Sequence, residues 1–155
     1  TADNITIKGC TVRDIYRDGI TCYGVGITVI DCEVAYVGSN GISVYGGDVA
    51  TLTKSNNLIC NNYVHNWSQR ATMNLGVISE GCGSTVCHNE VGDSTDLGMT
   101  ARGPYHTVEY NYIYKTNRYY FIYIHRIYFY KMDSSILFWY YITNLKIFQY
   151  FQFLY

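Results

Sequence analysis

Residues 1–115 carry one short segment five times, and this recurrence limits the folds open to the chain more than any other feature. The copies are Ile7-Lys8-Gly9-Cys10-Thr11-Val12, Val29-Ile30-Asp31-Cys32-Glu33-Val34, Ile59-Cys60-Asn61-Asn62-Tyr63-Val64, Val86-Cys87-His88-Asn89-Glu90-Val91 and Val108-Glu109-Tyr110-Asn111-Tyr112-Ile113. They start 22, 30, 27 and 22 residues apart. A second segment recurs four times: Gly19-Ile20-Thr21-Cys22-Tyr23-Gly24, Gly41-Ile42-Ser43-Val44-Tyr45-Gly46, Gly76-Val77-Ile78-Ser79-Glu80-Gly81 and Gly98-Met99-Thr100-Ala101-Arg102-Gly103. It follows Cys10, Cys32 and Asn89 by nine residues and Asn62 by fourteen.

Each copy is a short β-branched run bounded by Gly or Asn, the pattern of a strand that ends in a turn. A unit of roughly 22 residues cannot bury its apolar face alone, but stacked units cover one another. Parallel stacking at about 4.8 Å then sets like residues in columns. The expected inward columns are Ile7/Val29/Ile59/Val86/Val108, Val12/Val34/Val64/Val91/Ile113 and Ile20/Ile42/Val77/Met99. Cys10 and Cys32 share a column with Asn62, Asn89 and Asn111, where a buried amide can bond the turn backbone and its neighbour amide. Gly at both ends of the second segment predicts positive φ at the corners. The fold expected for residues 1–117 is therefore all-β, a single-stranded parallel β-helix of about five coils. The 35-residue spacing holds a thirteen-residue excess, split between Gly46–Ser55 and His65–Leu75. Insertions of this kind fall on one face of a solenoid and often build its binding site.

The last forty residues do not obey the repeat. All six Phe lie from Phe121 onward, all fourteen Gly lie before Pro104, and residues 116–155 hold sixteen aromatics. Net charge is −4 over residues 1–115 and +3 over the rest. A continued coil calls for Gly at positions 120 and 125, where Tyr120 and His125 stand. Residues 118–155 are accordingly expected to be a non-native or poorly ordered aromatic tail on a β-helix fragment cut near Asn117, the alternative being a genuine aromatic cap on the open end. The balanced overall charge of −1 leaves no footprint for nucleic acid. The longest uncharged run of the apolar tail, Ser134 to Leu145, is too short to span a bilayer. The chain starts at Thr1 without a signal peptide and reads as a processed or partial product.

The repeat resembles the right-handed parallel β-helix of carbohydrate-active proteins, the pectate lyase-like lyases and the β-helix glycoside hydrolases. The motifs that carry this are Gly46-Gly47-Asp48, Thr51-Leu52-Thr53, the Asn-rich Asn57–Asn62 with Val64-His65-Asn66, then His88-Asn89-Glu90-Val91-Gly92-Asp93 and His106-Thr107-Val108-Glu109-Tyr110-Asn111. The resemblance covers about residues 4–115. It departs where Gly92 replaces a second His and Ser94-Thr95 replaces Pro-His. It implies a secreted, extracellular protein acting on a polysaccharide or oligosaccharide, of glycoside hydrolase type. A polysaccharide lyase, a non-catalytic carbohydrate-binding or adhesin-like module and an inactive truncated product are the alternatives. The resembling families continue into further coils whose outer acidic residues are absent here.

Glycoside hydrolysis needs two carboxyl groups, about 5–5.5 Å apart for retention or 6.5–9.5 Å for inversion. Glu80, Asp93 and Asp96 are the acids near the long loops and are the catalytic candidates, with turn capping the plain alternative for the two aspartates. The outward column Tyr23, Tyr45, Glu80, Arg102 is a candidate tyrosine wall for sugar rings, or an ordinary surface with an ion pair. Trp67 and Arg70 offer an aromatic platform and a cation for substrate, unless Trp67 packs back on the coil. Asn66-Trp67-Ser68 and Asn4-Ile5-Thr6 are glycosylation sequons. Cys10/Cys32 in an inward column and Cys60/Cys87 in an outward one lie close enough for disulfides, although stacked free thiols suit the first pair equally. No Cys-x-x-Cys occurs, and His88 and His106 read as turn residues, so no metal site and no cofactor are expected.

Overall fold

The structure, a computed structural model, describes residues 2–118 and the short stretches 120–122, 126–128, 131–132 and 138–140. In chain order the strands are β1 (Thr6–Lys8), β2 (Thr11–Arg13), β3 (Ile20–Tyr23), β4 (Thr28–Ile30), β5 (Glu33–Ala35), β6 (Ile42–Gly46), β7 (Leu58–Cys60) and β8 (Tyr63–His65). They continue with β9 (Leu75–Gly81), β10 (Thr85–Cys87), β11 (Glu90–Arg102), β12 (Thr107–Glu109), β13 (Tyr112–Arg118), β14 (Tyr120–Ile122), β15 (Arg126–Tyr128), β16 (Lys131–Met132) and β17 (Phe138–Tyr140). No helix among the described residues is long and apolar enough to cross a membrane.

One sheet stacks β1-β4-β7-β10-β12-β15, and another runs β2-β5-β8-β11-β9-β6-β3. The thirteen-residue β11 joins two stacks, pairing at its start with β8 and at its end with β9. Every ladder is parallel and skips the intervening strands of the sequence, which is the topology of a coil. Registers align Ile7, Val29, Ile59, Val86 and Val108. They also align Val12, Val34, Val64, Val91 and Ile113, and Ile20, Ile42, Val77 and Met99. The fold is the parallel β-helix that the repeat implies. From the second coil onward these columns are buried in one apolar cluster; each such side chain contributes about 1.5–3 kcal/mol relative to exposure.

The buried amides link the coils. Asn62 Oδ1 accepts from Cys32 N–H at 3.0 Å, and Asn89 Oδ1 accepts from Asn62 N–H at 3.0 Å and Asn62 Nδ2 at 2.9 Å. Asn111 Oδ1 does the same for Asn89, at 2.9 Å from both donors. Each Nδ2 also donates to a carbonyl in the preceding coils: Val29, Ile59 and Val86. Cys10 keeps this register but lies exposed, since β1 and β2 are edge strands of their sheets. It is therefore not the inward thiol expected. Cys60 and Cys87 form a disulfide across adjacent coils with Cα atoms 4.7 Å apart, while Cys10, Cys22, Cys32 and Cys82 are free.

The corners differ from the expectation placed on glycine. Gly24, Gly81 and Gly103, at the far end of the second segment, have positive φ, but Gly19, Gly41 and Gly76 at the near end do not. Those three give room instead: a Cβ on Gly41 would stand 2.4 Å from both the Gly76 carbonyl oxygen and Val64 Cγ1. The left-handed corners fall mostly on other residues. One column is Asp14, Tyr36, Asn66, Asp93 and Lys115, with φ between 44° and 57°. Another is Gly9, Asp31, Asn61, His88 and Tyr110, with φ between 52° and 63°. Left-handed backbone is unfavourable for residues with a Cβ, and Asn and Asp bear it best.

The first insertion closes on itself and the second folds back on the coil. In Gly46–Ser55, Asp48 and Thr53 form an antiparallel bridge. In His65–Leu75, the N–H groups of Ser68, Gln69 and Arg70 donate to the carbonyls of Ser39, Val37 and Gly38. The expectation that residues 118–155 are foreign to the coil lies largely outside the described residues. In the described stretches, β15 pairs with β12, β16 with β13, and β17 with β14, all in parallel.

Candidate functional site

The outer face of β2, β5, β8, β11 and β13 holds the richest chemistry of the described residues. Side chains alternate across a strand, so the positions flanking the buried Val/Ile column point outward. One outward column reads Thr11, Glu33, Tyr63, Glu90, Tyr112; the other reads Arg13, Ala35, His65, Gly92, Tyr114. The left-handed corner column borders them. Together they form a groove of about 620 Å³, lined by Tyr36, Tyr63, His65 and Asn66, by Gln69 of the inserted loop, by Asp93, Ser94 and Thr95, and by Lys115. These residues come from four successive coils, so the groove runs along the coil axis for roughly 14 Å at about 4.8 Å per rung.

His65 is the centre of its polar network. Its ring stacks on Tyr63 with centroids 4.2 Å apart and meets Tyr36 edge-on at 5.7 Å. Nε2 lies 3.2 Å from Glu33 Oε1 and Nδ1 lies 2.7 Å from Asn66 Oδ1. Asn66 Nδ2 donates to the Asp93 carbonyl at 3.0 Å, which fixes the amide with its oxygen toward the imidazole. At the far end Tyr112 and Tyr114 stack at 5.0 Å, and the Tyr114 hydroxyl sits 3.4 Å from that of Tyr63. Burial first, then this hydroxyl contact, pushes the Tyr114 phenol well above its usual range. Gly92 makes the reach possible, since a Cβ there would stand 2.5 Å from the Tyr114 ring. The residue at which the sequence departs from the resembling families is thus the one that admits Tyr114.

Charges on this face are matched locally. Lys115 Nζ contacts Asp93 Oδ1 at 3.0 Å, and this hydrogen bond raises the lysine pKa. Arg13 pairs with Asp14 at 3.1 Å and lies over the Tyr36 ring at 5.3 Å. The columns carry four carboxylates (Asp14, Glu33, Glu90, Asp93) against two permanent cations, Arg13 and Lys115.

Among the residues expected at a site, Asp93 lies in the groove, at a left-handed bend within β11 rather than in a turn after a strand. Asp96 is buried, 4% exposed. It accepts hydrogen bonds from Ser68 Oγ and Asn74 N at 2.8 Å and from Leu97 N at 3.1 Å, which makes it an anchor of the inserted loop and leaves it closed to substrate. Trp67 is fully buried, so it is no sugar platform; the loop backbone is tied to the second coil and turns the indole into the core. Arg70 rests 4.0 Å over the Tyr16 ring. Glu80 and Arg102 are adjacent in register and 4.0 Å apart, both half-exposed. Tyr23 and Tyr45 stack on each other at 4.8 Å, within 12° of parallel. Two rings that close cannot lie side by side in one plane, so their faces meet and the column shows its edges: it is a stack and not a flat wall. The sequon residue Asn66 is committed to His65 and Asp93, whereas Asn4 is exposed.

His65, Glu33, Tyr36, Tyr63, Tyr114 and Lys115 were not expected at a site. The signal was available: once the repeats are aligned, the positions flanking Val34, Val64 and Ile113 give Glu33, Tyr63, His65 and Tyr114, and the next position along gives Tyr36 and Lys115. No group of three or more His, Cys, Asp or Glu among the described residues could hold a metal ion.

No curated protein and no solved structure matches the chain. A family model for the right-handed β-helix region matches residues 1–135. With its parallel coils, in-register columns and amide ladder, the chain belongs to the right-handed β-helix family.

Proposed function

We propose that this protein acts on a polysaccharide laid along the axial groove, as a glycoside hydrolase-type β-helix working on a neutral glycan. The observation that carries the reading is the groove itself: open, four coils long, and lined by aromatic rings, amides, hydroxyls and the Asp93 carboxylate. Aromatic faces and edges pack on the apolar face of a sugar, and Asn, Gln, Ser and Thr supply the hydrogen bonds that orient its hydroxyls. Asp93 is the expected catalytic acid that lies in this groove. The excess of carboxylates favours a neutral glycan, because a polyuronate would bring its own negative charges to a face whose Arg13 and Lys115 are already paired. That balance weighs against the lyase alternative. The Cys60–Cys87 disulfide supports a location in an oxidising compartment, hence export.

The test is affinity electrophoresis through gels containing xylan, laminarin, dextran or polygalacturonate, paired with reducing-sugar release from each. Retardation by a neutral polymer, weakened by Tyr63→Ala, is the expected result. Retardation by polygalacturonate alone, with an unsaturated uronate product, would replace the hydrolase reading with the lyase one. Retardation in no gel would remove the carbohydrate reading.

A further inference from the structure

We propose that Cys10 and Cys32 are a second inter-coil disulfide site, closed by a small disulfide oxidant, which clamps the first coil onto the second. The pair lies outside the groove and its role stands whatever the groove binds.

The first coil is the one that the buried ladder misses. Asn62, Asn89 and Asn111 each offer Oδ1 to the N–H of the residue one rung before. This series ends on Cys32, because a thiol has no carbonyl oxygen to offer Cys10. Cys32 still reaches in the same direction as the amides. Its Sγ donates to the Ile7 carbonyl of the first coil at 3.7 Å, as Asn62 Nδ2 does to Val29. Little else in the side chains holds that coil: Ile7 and Val12 are only partly buried, and the Lys8–Asp31 ion pair at 3.5 Å is exposed.

The two cysteines share a column and sit one rung apart. Lys8 faces Ile30 and Thr11 faces Glu33, so the residues between them are in register with no sideways offset. Gly9 N donates to Ile30 O at 3.1 Å and Glu33 N to Cys10 O at 2.9 Å, which closes the same pair of rungs. In-register parallel strands hold Cα atoms about 4.8 Å apart, inside the disulfide range of about 4.4–6.8 Å. Cys60 and Cys87, also in register on adjacent rungs, are bonded with Cα atoms 4.7 Å apart. Both sulfurs of the proposed pair lie against β1: Cys10 Sγ is 3.4 Å from the Lys8 carbonyl oxygen, and Cys32 Sγ meets that of Ile7. Cys22, by contrast, faces Val44 on the next rung.

Exposure divides the chemistry between them. Cys10 is exposed and meets the oxidant, whereas Cys32 is buried and resolves the intermediate. Cys10 loses its proton and its sulfur attacks one sulfur of the oxidant, whose S–S bond breaks. One half of the oxidant leaves with the electron pair, takes up a proton, and a mixed disulfide remains. Cys32 then loses its proton and attacks Cys10 Sγ, and the second half leaves in the same way. The protein gives up two electrons and two protons, and the oxidant gains them as two thiols.

The experiment uses the full chain, incubated with oxidised and reduced glutathione until Cys60–Cys87 has formed, and then alkylated. Digestion with trypsin and Asp-N, which cuts before Asp31 and so parts Cys32 from Cys22, should give residues 9–13 joined to a fragment that starts at Asp31. An alkylated Cys10, or Cys10 joined to Cys22, in molecules that hold Cys60–Cys87 would overturn the site. Cys10→Ser keeps Cys60–Cys87 and tests the clamp. Hydrogen exchange at the Gly9, Asp14 and Glu33 amides, which bridge the first two coils, should be at least about 10-fold faster in this variant than in the oxidised wild type. The Asn62 and Asn89 amides should exchange alike in both. Equal exchange at the bridging amides would overturn the clamp; should circular dichroism show Cys10→Ser unfolded, Cys10→Ala takes its place.

Discussion

Asn89→Ala removes the middle amide of the buried ladder, and the structure says what is left behind. The Asn62 N–H loses its acceptor at 3.0 Å, and the Ile59 carbonyl loses the donor at 2.9 Å. Asn62 Nδ2 retains Val29 O, and Asn111 Oδ1 retains the Asn89 backbone N–H. The Asn62 N–H is therefore stranded in an apolar interior, where Asn62 and Asn89 are 2% and 1% exposed, while the Ile59 carbonyl stays within the β7–β10 ladder. At about 1–3 kcal/mol for a buried polar group left unpaired, the loss is about 1–3 kcal/mol. That is a large share of the roughly 5–15 kcal/mol that holds a typical domain together. Urea denaturation followed by far-UV circular dichroism measures it as a lower midpoint, with hydrogen exchange at the Asn62 amide as a local readout. A fall below about 0.5 kcal/mol with the Asn62 amide still protected would refute the claim that the ladder ties coil to coil.

Trp67→Ala should destabilise by about 3–5 kcal/mol, as for other fully buried aromatics, whereas Trp67→Phe should cost far less because the buried indole N–H has no hydrogen-bond partner; equal losses in urea melts would contradict the packing described. Gly92→Ala should displace Tyr114 and lower stability by about 1–3 kcal/mol, with quenched tyrosine fluorescence as the local signal, and an unchanged melt would show that the ring moves freely. His106 is buried, and that burial lowers its pKa below the ordinary 6.5 despite the hydrogen bond from Nε2 to the Arg102 carbonyl at 2.9 Å. Folding thus releases a proton below that pH: stability is full above about pH 6.5 and falls as pH drops toward the folded pKa, by at most about 1.4 kcal/mol per pH unit. Urea midpoints from pH 8 to 5 should show this fall in the wild type and a flatter profile in His106→Asn; parallel profiles would assign the dependence to other groups.

The inward columns could be read from the sequence because they repeat a single requirement, a β-branched or aliphatic residue at one spacing, and the structure keeps that register residue for residue. The amide ladder could be read for the same reason. The corners could not. The position that holds Asp14 in one coil holds Tyr36, Asn66, Asp93 and Lys115 in the others, so a shared backbone conformation leaves no shared residue type. Trp67 misled because its chemistry suits a sugar platform, while its burial is decided by three backbone hydrogen bonds to residues some thirty positions earlier. Glu33 and His65 were hidden by distance along the chain, being 32 residues apart yet one rung apart in space. Asp93 was singled out from loop proximity alone, which is also why Asp96, three residues on, was taken with it; the structure puts the first on the groove and buries the second.

The left-handed corners have a consequence for how the molecule comes into being. Each coil must hold several non-glycine residues in a backbone region that disfavours them by roughly 1–2 kcal/mol apiece, and a solitary coil has no means of compensating. A nascent turn therefore persists only when laid on a finished one, much as a layer joins a growing crystal face. Assembly should start wherever two adjacent coils first meet, near the Asn62–Asn89 contact, and spread outward from that seed toward both ends.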